Sequence, residues 1–371
     1  MRKALNFIFS VILAASVVFF FSFANTVNAQ SRQALQTHAT APVGAQPIGH
    51  LPASQRLSLA ISLPLRNQEQ LNTLLQQLED PASPSYHHYL SAVQFTEQFG
   101  PTVEQYQQVI SFAKARGFTV TRTSPSRRLL NVTGTVTQIE QTFQVAMQIY
   151  QHPTEHRTYF APSIAPTIDA GLPILGVSGL TTYTLPHPML KRASPNSPQS
   201  FQTGSGSGGQ FLGSDMRAAY YGSGPLAGQG QAIALAELGP WSVSDVQAYF
   251  TSVGQTLAVP IVSELTGGDN GQCIGLPTEN SGCDDGEEVI DMEQIISMAP
   301  NAPVLIVYTD YTGNADVDIF DAYSTDNIAK QMSFSFGIGD GNAVADEGYF
   351  ATFHAQGQNF FVASGDRKSV V

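Results

Sequence analysis

The chain has 371 residues, too many for one small domain and enough for two or three units of roughly 150 residues each. A formal charge of −12 with only 12% charged residues argues against both a disordered polyelectrolyte and a protein that grips nucleic-acid phosphates, so no nucleic-acid partner is expected. The 32 glycines and 22 prolines make it loop-rich without a collagen period, and 42% hydrophobic residues are ample for a folded core.

Arg2 and Lys3 precede an apolar run from Leu5 to Ala24, and Val27-Asn28-Ala29 places small residues where a signal peptidase cuts. Residues 1–29 read as a signal peptide cleaved before Gln30, which makes the protein secreted. The run is also long enough for an uncleaved membrane anchor, which would export the rest equally. In an oxidising compartment Cys273 and Cys283 are a disulfide candidate, with free thiols as the alternative, and they lack the other ligands of a zinc site.

Residues 30–185 read as an α+β unit. A strand is expected at Leu59 to Leu65. A helix follows, with Asn67 placed to cap it and Leu71, Leu74, Leu75 and Leu78 on one face. In Tyr86-His87-His88-Tyr89 the adjacent histidines have no carboxylate or cysteine at ligand spacing, so a structural role is expected rather than a metal. A second helix opens with the capping box Thr102 to Gln105, turns Tyr106, Val109, Ile110 and Ala113 inward and stops at Gly117. Strands at Phe118 to Thr123 and Leu129 to Val132 precede a third helix, expected to open at Thr137 with Glu140 and to bury Ile139, Phe143 and Met147. Together these give one antiparallel sheet with helices on one face.

Residues 186–210 read as a linker with a processing site. Lys191-Arg192 precedes a Ser/Pro stretch and then Gly204-Ser205-Gly206-Ser207-Gly208-Gly209, a composition that orders itself poorly and is readily nicked. From 211 to 371 apolar runs at Ala232 to Ala236, Val304 to Tyr308, Met332 to Phe336 and Phe360 to Ala363 alternate with helical segments. Those segments lie at Val243 to Val253, Glu287 to Met298, Val317 to Ser324 and Ala343 to His354. The rhythm is that of an α/β, doubly wound parallel sheet, whose functional residues sit at the carboxyl ends of its strands. Charge divides unevenly: residues 31–200 carry eleven Lys or Arg against eight Asp or Glu, and residues 201–371 carry four against twenty-one. The halves should attract each other, and acid should weaken that attraction by protonating the anionic one.

Asp284-Asp285-Gly286-Glu287-Glu288-Val289-Ile290-Asp291 opens a helix, and Glu287 and Asp291, four apart, face the same way. Carboxylates so placed push one pKa upward, which suits acid–base chemistry. Acidic residues also favour any helix N-terminus, and a calcium site is a third reading, although the alternating ligand spacing of a calcium loop is missing.

Several motifs together resemble the sedolisin family of serine-carboxyl peptidases. Asp80-Pro81-Ala82-Ser83-Pro84-Ser85-Tyr86-His87-His88-Tyr89-Leu90 with Phe95 to Pro101 resembles its kumamolisin-type activation domain. Asp215-Met216-Arg217-Ala218-Ala219-Tyr220 resembles the start of its peptidase domain, without the usual proline before the Asp. Glu237-Leu238-Gly239 and Glu287-x-x-x-Asp291 followed by Ala299-Pro300 complete the set.

The resemblance implies a subtilisin-like sheet, left incomplete in this chain, behind an activation domain that acts as intramolecular chaperone and inhibitor. It further implies an acid-active serine endopeptidase, acting as a monomer on proteins and peptides. By resemblance Glu287 takes the serine proton, Asp291 tunes it, Glu237 extends the network behind the pair, and Asp366 in Ser364-Gly365-Asp366 donates to the oxyanion. The aromatic donor to the Glu237 position is replaced by Phe336 in Ser335-Phe336-Gly337. The family nucleophile lies in a Gly-Thr-Ser motif, followed by a calcium site, and neither occurs before Val371, so the chain as it stands is expected to be inactive. The last six residues also read as a translated sequencing adapter, which would give Asp366 another origin. A non-enzymatic alternative is a secreted inhibitor or binding module in which only the activation half folds. A conventional subtilisin-like enzyme would need a triad histidine, and His354 lacks the matching motif.

Overall fold

The structure, a computed structural model, describes residues 31–35, 40–188, 203–267, 286–310, 312–337 and 343–363. In chain order the first half contains β1 (Arg32–Ala34), β2 (Pro47–His50), β3 (Arg56–Ser62), α1 (Gln68–Glu79), α2 (Ala92–Phe99), α3 (Val103–Ala115), β4 (Thr119–Thr123), β5 (Leu129–Thr135), α4 (Val136–Phe143), β6 (Met147–Gln151), β7 (Thr158–Pro162), β8 (Thr167–Asp169), β9 (Gly176–Ser178) and β10 (His187–Pro188). The second half contains α5 (Gly213–Tyr220), β11 (Ile233–Glu237), α6 (Val243–Ser252), β12 (Ile261–Gly267), α7 (Gly286–Met298), β13 (Leu305–Asp310), α8 (Ala315–Asp326), β14 (Gln331–Phe334), β15 (Phe336–Gly337), α9 (Ala343–Gln356) and β16 (Asn359–Val362). Arg32–Val371 belongs to one compact unit. Among the described residues no helix is long and apolar enough to cross a membrane.

Alternation along β3 and β5 decides how the first half is layered. Both lie in the antiparallel sheet β4-β5-β3-β9. Leu59, Ile61, Leu130 and Val132 face a core shared with Val109 and Ala113 of α3 and Ile139 and Phe143 of α4. Ala60 and Leu129, one residue out of phase, face the opposite way and pack with α8 and α9. The expected helix-covered sheet is present, and its second face is covered by the C-terminal half. A separate sheet, β2-β6-β7, was not anticipated.

Helix ends show where sequence signals held. α3 has the Thr102–Gln105 capping box, and Gly117 beyond it takes φ +83°. Asn67 does not cap α1: it sits at φ 53° without a capping bond, and its Nδ2 donates to the Gln98 carbonyl instead. The third helix opens two residues earlier than expected, through a Thr135–Gln138 box. Glu140 is thereby free to accept from the Met147 amide at 2.7 Å, and Met147 starts strand β6 rather than ending the helix. His87, at φ 54°, stacks between the rings of Tyr86 and Tyr89. Part of the expected linker is ordered: the Gly/Ser stretch closes a turn through Gly204 N–H to Gly209 O and Gly206 N–H to Gln210 O.

In the second half all strands of the sheet β12-β13-β11-β14-β16 run parallel. Alternation again assigns two faces. Ala234, Ala236, Tyr308, Met332 and Phe334 meet α8 and α9, whereas Leu235, Leu305 and Val307 meet Val246 and Phe250 of α6 and Met292 and Ile296 of α7. Helices on both faces make the sheet doubly wound. α8 lies between this sheet and the antiparallel one and is buried on every side, Asp318 and Asp321 included.

Gly179 marks how closely the halves approach. At φ +86°, an added Cβ would collide with the Ser58 carbonyl and lie 2.8 Å from Asn314 Oδ1. Gly171 has a similar φ of +89° but opens onto space. Gly179→Ala is expected to destabilise the protein by more than about 1 kcal/mol and by clearly more than Gly171→Ala, read from urea midpoints. Equal effects would show that the approach at Gly179 is not tight.

Candidate active site

β11 is the central strand of the parallel sheet, and its last residue is Glu237. Parallel pairing sets Glu237 beside Thr309 of β13 and Ala236 beside Phe334 of β14, so Ser335 follows at the strand ends. α7 then begins at Gly286 and points its first turn back to this edge. Its apolar residues Met292 and Ile296 anchor the helix on the sheet. With 3.6 residues per turn, that anchoring turns Glu287, Glu288 and Asp291 inward. Glu237 and Glu288 are 0% exposed and Glu287 is 7% exposed.

Four carboxyl groups thus converge at the carboxyl end of the central strand, where a doubly wound sheet places its chemistry. Burial holds the Glu237 carboxyl well above the usual range, and the charges of Asp291, Glu288 and Glu287 push it in the same direction. Neither Glu237 carboxyl oxygen has a hydrogen-bond partner among the described residues. Asp291 is also raised by burial, opposed by a hydrogen bond from the Ser335 side chain. Like charges this close cannot all ionise together, so the site retains at least one proton into the pH range where free carboxyls have lost theirs. It can both accept and hold a proton.

The sequence reading placed Glu237, Glu287 and Asp291 together, and the fold brings them together. Ser335 and the complete burial of Glu288 were not anticipated. Glu288 stood in the acidic run without distinction, and Ser335 lies 44 residues from Asp291, so only the sheet register reveals it. Phe336 is buried beside Phe334, their ring centroids 6.1 Å apart, and its ring has no donor to offer. The indole of Trp241 donates to Thr309 Oγ1 at 3.2 Å. Asp366, Cys273 and Cys283 lie outside the described residues. His354 on α9 pairs with Glu79 of α1 at 2.7 Å. Among the described residues no three His, Cys, Asp or Glu side chains form a group able to hold a metal.

The first half closes on the site's neighbourhood. β10 pairs antiparallel with β15, His187 opposite Gly337 and Pro188 opposite Phe336, directly after Ser335. Behind it, Asn131 Nδ2 donates to Asp318 Oδ1 at 2.7 Å, Ser126 Oγ donates to Asp321 Oδ1 at 2.6 Å, and Arg122 lies 3.6 Å from Asp318.

Residues 44–183 match the family described as "Pro-kumamolisin, activation domain". Over 336 residues the chain is 28% identical to sedolisin of Pseudomonas sp. (strain 101), covering 87% of this chain and 56% of that protein. It is 28% identical to xanthomonalisin of Xanthomonas sp. (strain T-22), covering 85% and 40%, and 27% identical to kumamolisin of Bacillus sp. (strain MN-32), covering 75% and 49%. The chain therefore spans about half the length of these relatives. A solved Pseudomonas sedolisin, a serine-carboxyl proteinase complexed with two molecules of pseudo-iodotyrostatin, is similar over 41% of this chain and 43% of its own, at 24% identity and a TM-score of 0.34. The first half is thus similar to a pro-kumamolisin activation domain, and most of the chain is similar to sedolisin, xanthomonalisin and kumamolisin.

Proposed function

We propose that the protein to which this chain belongs is a secreted, acid-active endopeptidase working by a Ser-Glu-Asp mechanism and held inactive by its own activation domain. The convergence of Glu237, Glu287 and Asp291 at the end of β11 carries this reading. Glu287 accepts the proton of a serine hydroxyl as its oxygen attacks the peptide carbonyl, then returns that proton to the leaving amine. Asp291, one helical turn on and steadied by Ser335, orients the base. A histidine base would already be protonated in acid, whereas a carboxylate with an ordinary pKa of about 4 still accepts a proton there. No serine of this chain is assigned as nucleophile. Asp366 is the proposed oxyanion donor, and no step uses calcium.

The β10–β15 pairing supports inhibition. A strand of the precursor itself lies along the edge beside Ser335, where an extended substrate would add by main-chain hydrogen bonds. Cutting the chain after β10 frees that edge. Proposed substrates are proteins and peptides, and the proposed state is monomeric. The reading in which only the activation half folds is disfavoured, because the parallel sheet carries apolar clusters on both its faces.

Acid acts on the seam in the opposite sense to that expected from net charge. Burial raises Asp318 well above its ordinary value, with the charge of Asp310 adding to it, and pushes Asp346 up to about 8. A raised folded pKa means that the folded state binds protons more tightly than the unfolded chain. Its stabilising effect is full below the ordinary carboxylate pKa and is lost as pH rises toward about 8. Thermal stability is therefore expected to fall by several degrees between mildly acidic and mildly alkaline buffer, the size of about 1–2 kcal/mol in a chain of this length. A melting temperature that rises over the same interval would contradict the burial of these groups. Release of the activation domain then depends on cleavage rather than on titration of the seam.

The function is tested on the whole protein, by hydrolysis of denatured protein in strong acid and near neutrality. Acid hydrolysis that fades toward neutral pH is expected, and activity confined to neutral pH would overturn the carboxylate base.

A further inference from the structure

A cavity of about 600 Å³ lies between the first half and α9, away from the carboxylate site. Leu65, Leu75, Leu175 and Phe350 give it apolar walls, and the exposed Asn72 of α1 stands at its rim. Arg128 also lines it and is only 4% exposed.

The guanidinium of Arg128 is underused. Nη1 donates to Thr352 Oγ1 at 2.9 Å, and the group lies 3.9 Å from the centroid of the Tyr349 ring. Nη2 lies against Gly348, where an added Cβ would approach to 2.5 Å, so the missing side chain makes room for it. Nε is buried without a hydrogen-bond partner, and Arg128 forms no ion pair among the described residues. The charges of Asp321 and Asp346 offset its burial in part, but among the described residues no carboxylate pairs with it directly, and Glu347, which also lines the cavity, turns to solvent. Asp321 already accepts from Ser126 and from Tyr349 OH, and Asp346 is held toward its protonated form. His354, also in the wall, is engaged with Glu79. An arginine remains charged at any relevant pH, and a buried cation without a counter-ion is costly.

A cation whose Nη2 makes no hydrogen bond among the described residues, beside an apolar hollow, defines its ligand. We propose that this cavity binds an amphiphilic carboxylate, its headgroup on Arg128 and its apolar tail against Leu65, Leu75, Leu175 and Phe350. A medium-chain fatty acid and the C-terminal residue of an apolar peptide share this chemistry. Because the walls come from both halves, a bound ligand favours the closed precursor by linkage.

Calorimetric titration of the full chain near neutral pH tests this with octanoate and N-acetyl-leucyl-leucine, beside the amide of each. At least one acid is expected to bind with a dissociation constant below about 1 mM, and its amide at least about tenfold more weakly. Binding of octanoate alone identifies the fatty-acid source, and binding of the peptide alone the peptide source. Arg128→Gln should abolish binding. Because that variant disturbs a buried contact, Asn72→Trp provides a second test: it should fill the cavity mouth, leave the circular dichroism unchanged and remove binding. Failure of both acids to bind, amides as tight as the acids, or unchanged binding to folded Asn72→Trp would each overturn the proposal.

Discussion

Glu287→Ala in the whole protein is expected to lower acid hydrolysis by about 10³-fold or more, near the upper range for a positioned general base. The residue lies at the inward first turn of α7, and its charge is felt by Glu237 at the end of the central strand. On the proposed mechanism, loss of the carboxylate leaves no group to take the serine proton, whereas the proposed substrate edge at β15 is untouched. The loss should therefore fall on kcat with KM little changed. The fold should survive, because the substitution removes one of several like charges from a buried site; a melting temperature equal to or above the wild type is expected. Activity within about tenfold of wild type would remove Glu287 from the mechanism.

Phe320→Ala is expected to cost about 4 kcal/mol, within the range for deleting a fully buried aromatic ring. Phe320 is 1% exposed on α8, and the rings of Phe334, Tyr349, Phe350, Phe353 and Phe360 surround it with centroids 5.0 to 6.2 Å away. α8 is clamped between two sheets and cannot settle into the void, so the cavity term adds to the lost transfer energy. The ring also stands behind the surface that meets Ala60 and Leu129 of the first half, so the seam should loosen with the core. Urea unfolding gives the cost, and hydrogen exchange should show faster opening in α8 and α9 together. A cost below about 1 kcal/mol would mean that the site collapses freely.

What the sequence displayed follows from the range of the forces involved. Capping at α3 depends on Thr102 and Gln105, three residues apart, and is local enough to read. β11 and β13 are buried on both faces and read as apolar runs, whereas β14 alternates, Met332 and Phe334 buried and Gln331 and Ser333 partly so. β12 was missed because it is an edge strand, four of its seven residues exposed, so Ile261–Gly267 lacks that run. The β2-β6-β7 sheet was missed because its strands are short, β2 is exposed throughout, and β6 carries two glutamines among its apolar residues. α5 was missed as a helix because only Gly213 in it is buried.

The site divides in the same way. Glu287 and Asp291 share one helix and could be paired from their spacing alone, whereas Ser335 joins them through the sheet register. Net charge points to attraction between the halves that acid weakens, whereas the burial of Asp318 and Asp346 points to the opposite pH response. Net charge counts carboxylates without their burial, and Asp318 and Asp346 titrate by burial more than by attraction. At the seam, Asn131 and Ser126 make short contacts to Asp318 and Asp321, and Arg122 donates to the Thr266 carbonyl at 2.7 Å while its pair with Asp318 is longer at 3.6 Å.

Site-resolved titration of carboxyl carbons by NMR, on this chain and its Glu287→Gln variant, addresses the convergence of the acidic groups directly. The Glu237 carboxyl should titrate well above 4.5 in the parent, and removing the charge at 287 should bring it down. A Glu237 that titrates at 4.5 and ignores residue 287 would mean that these carboxyls share no site.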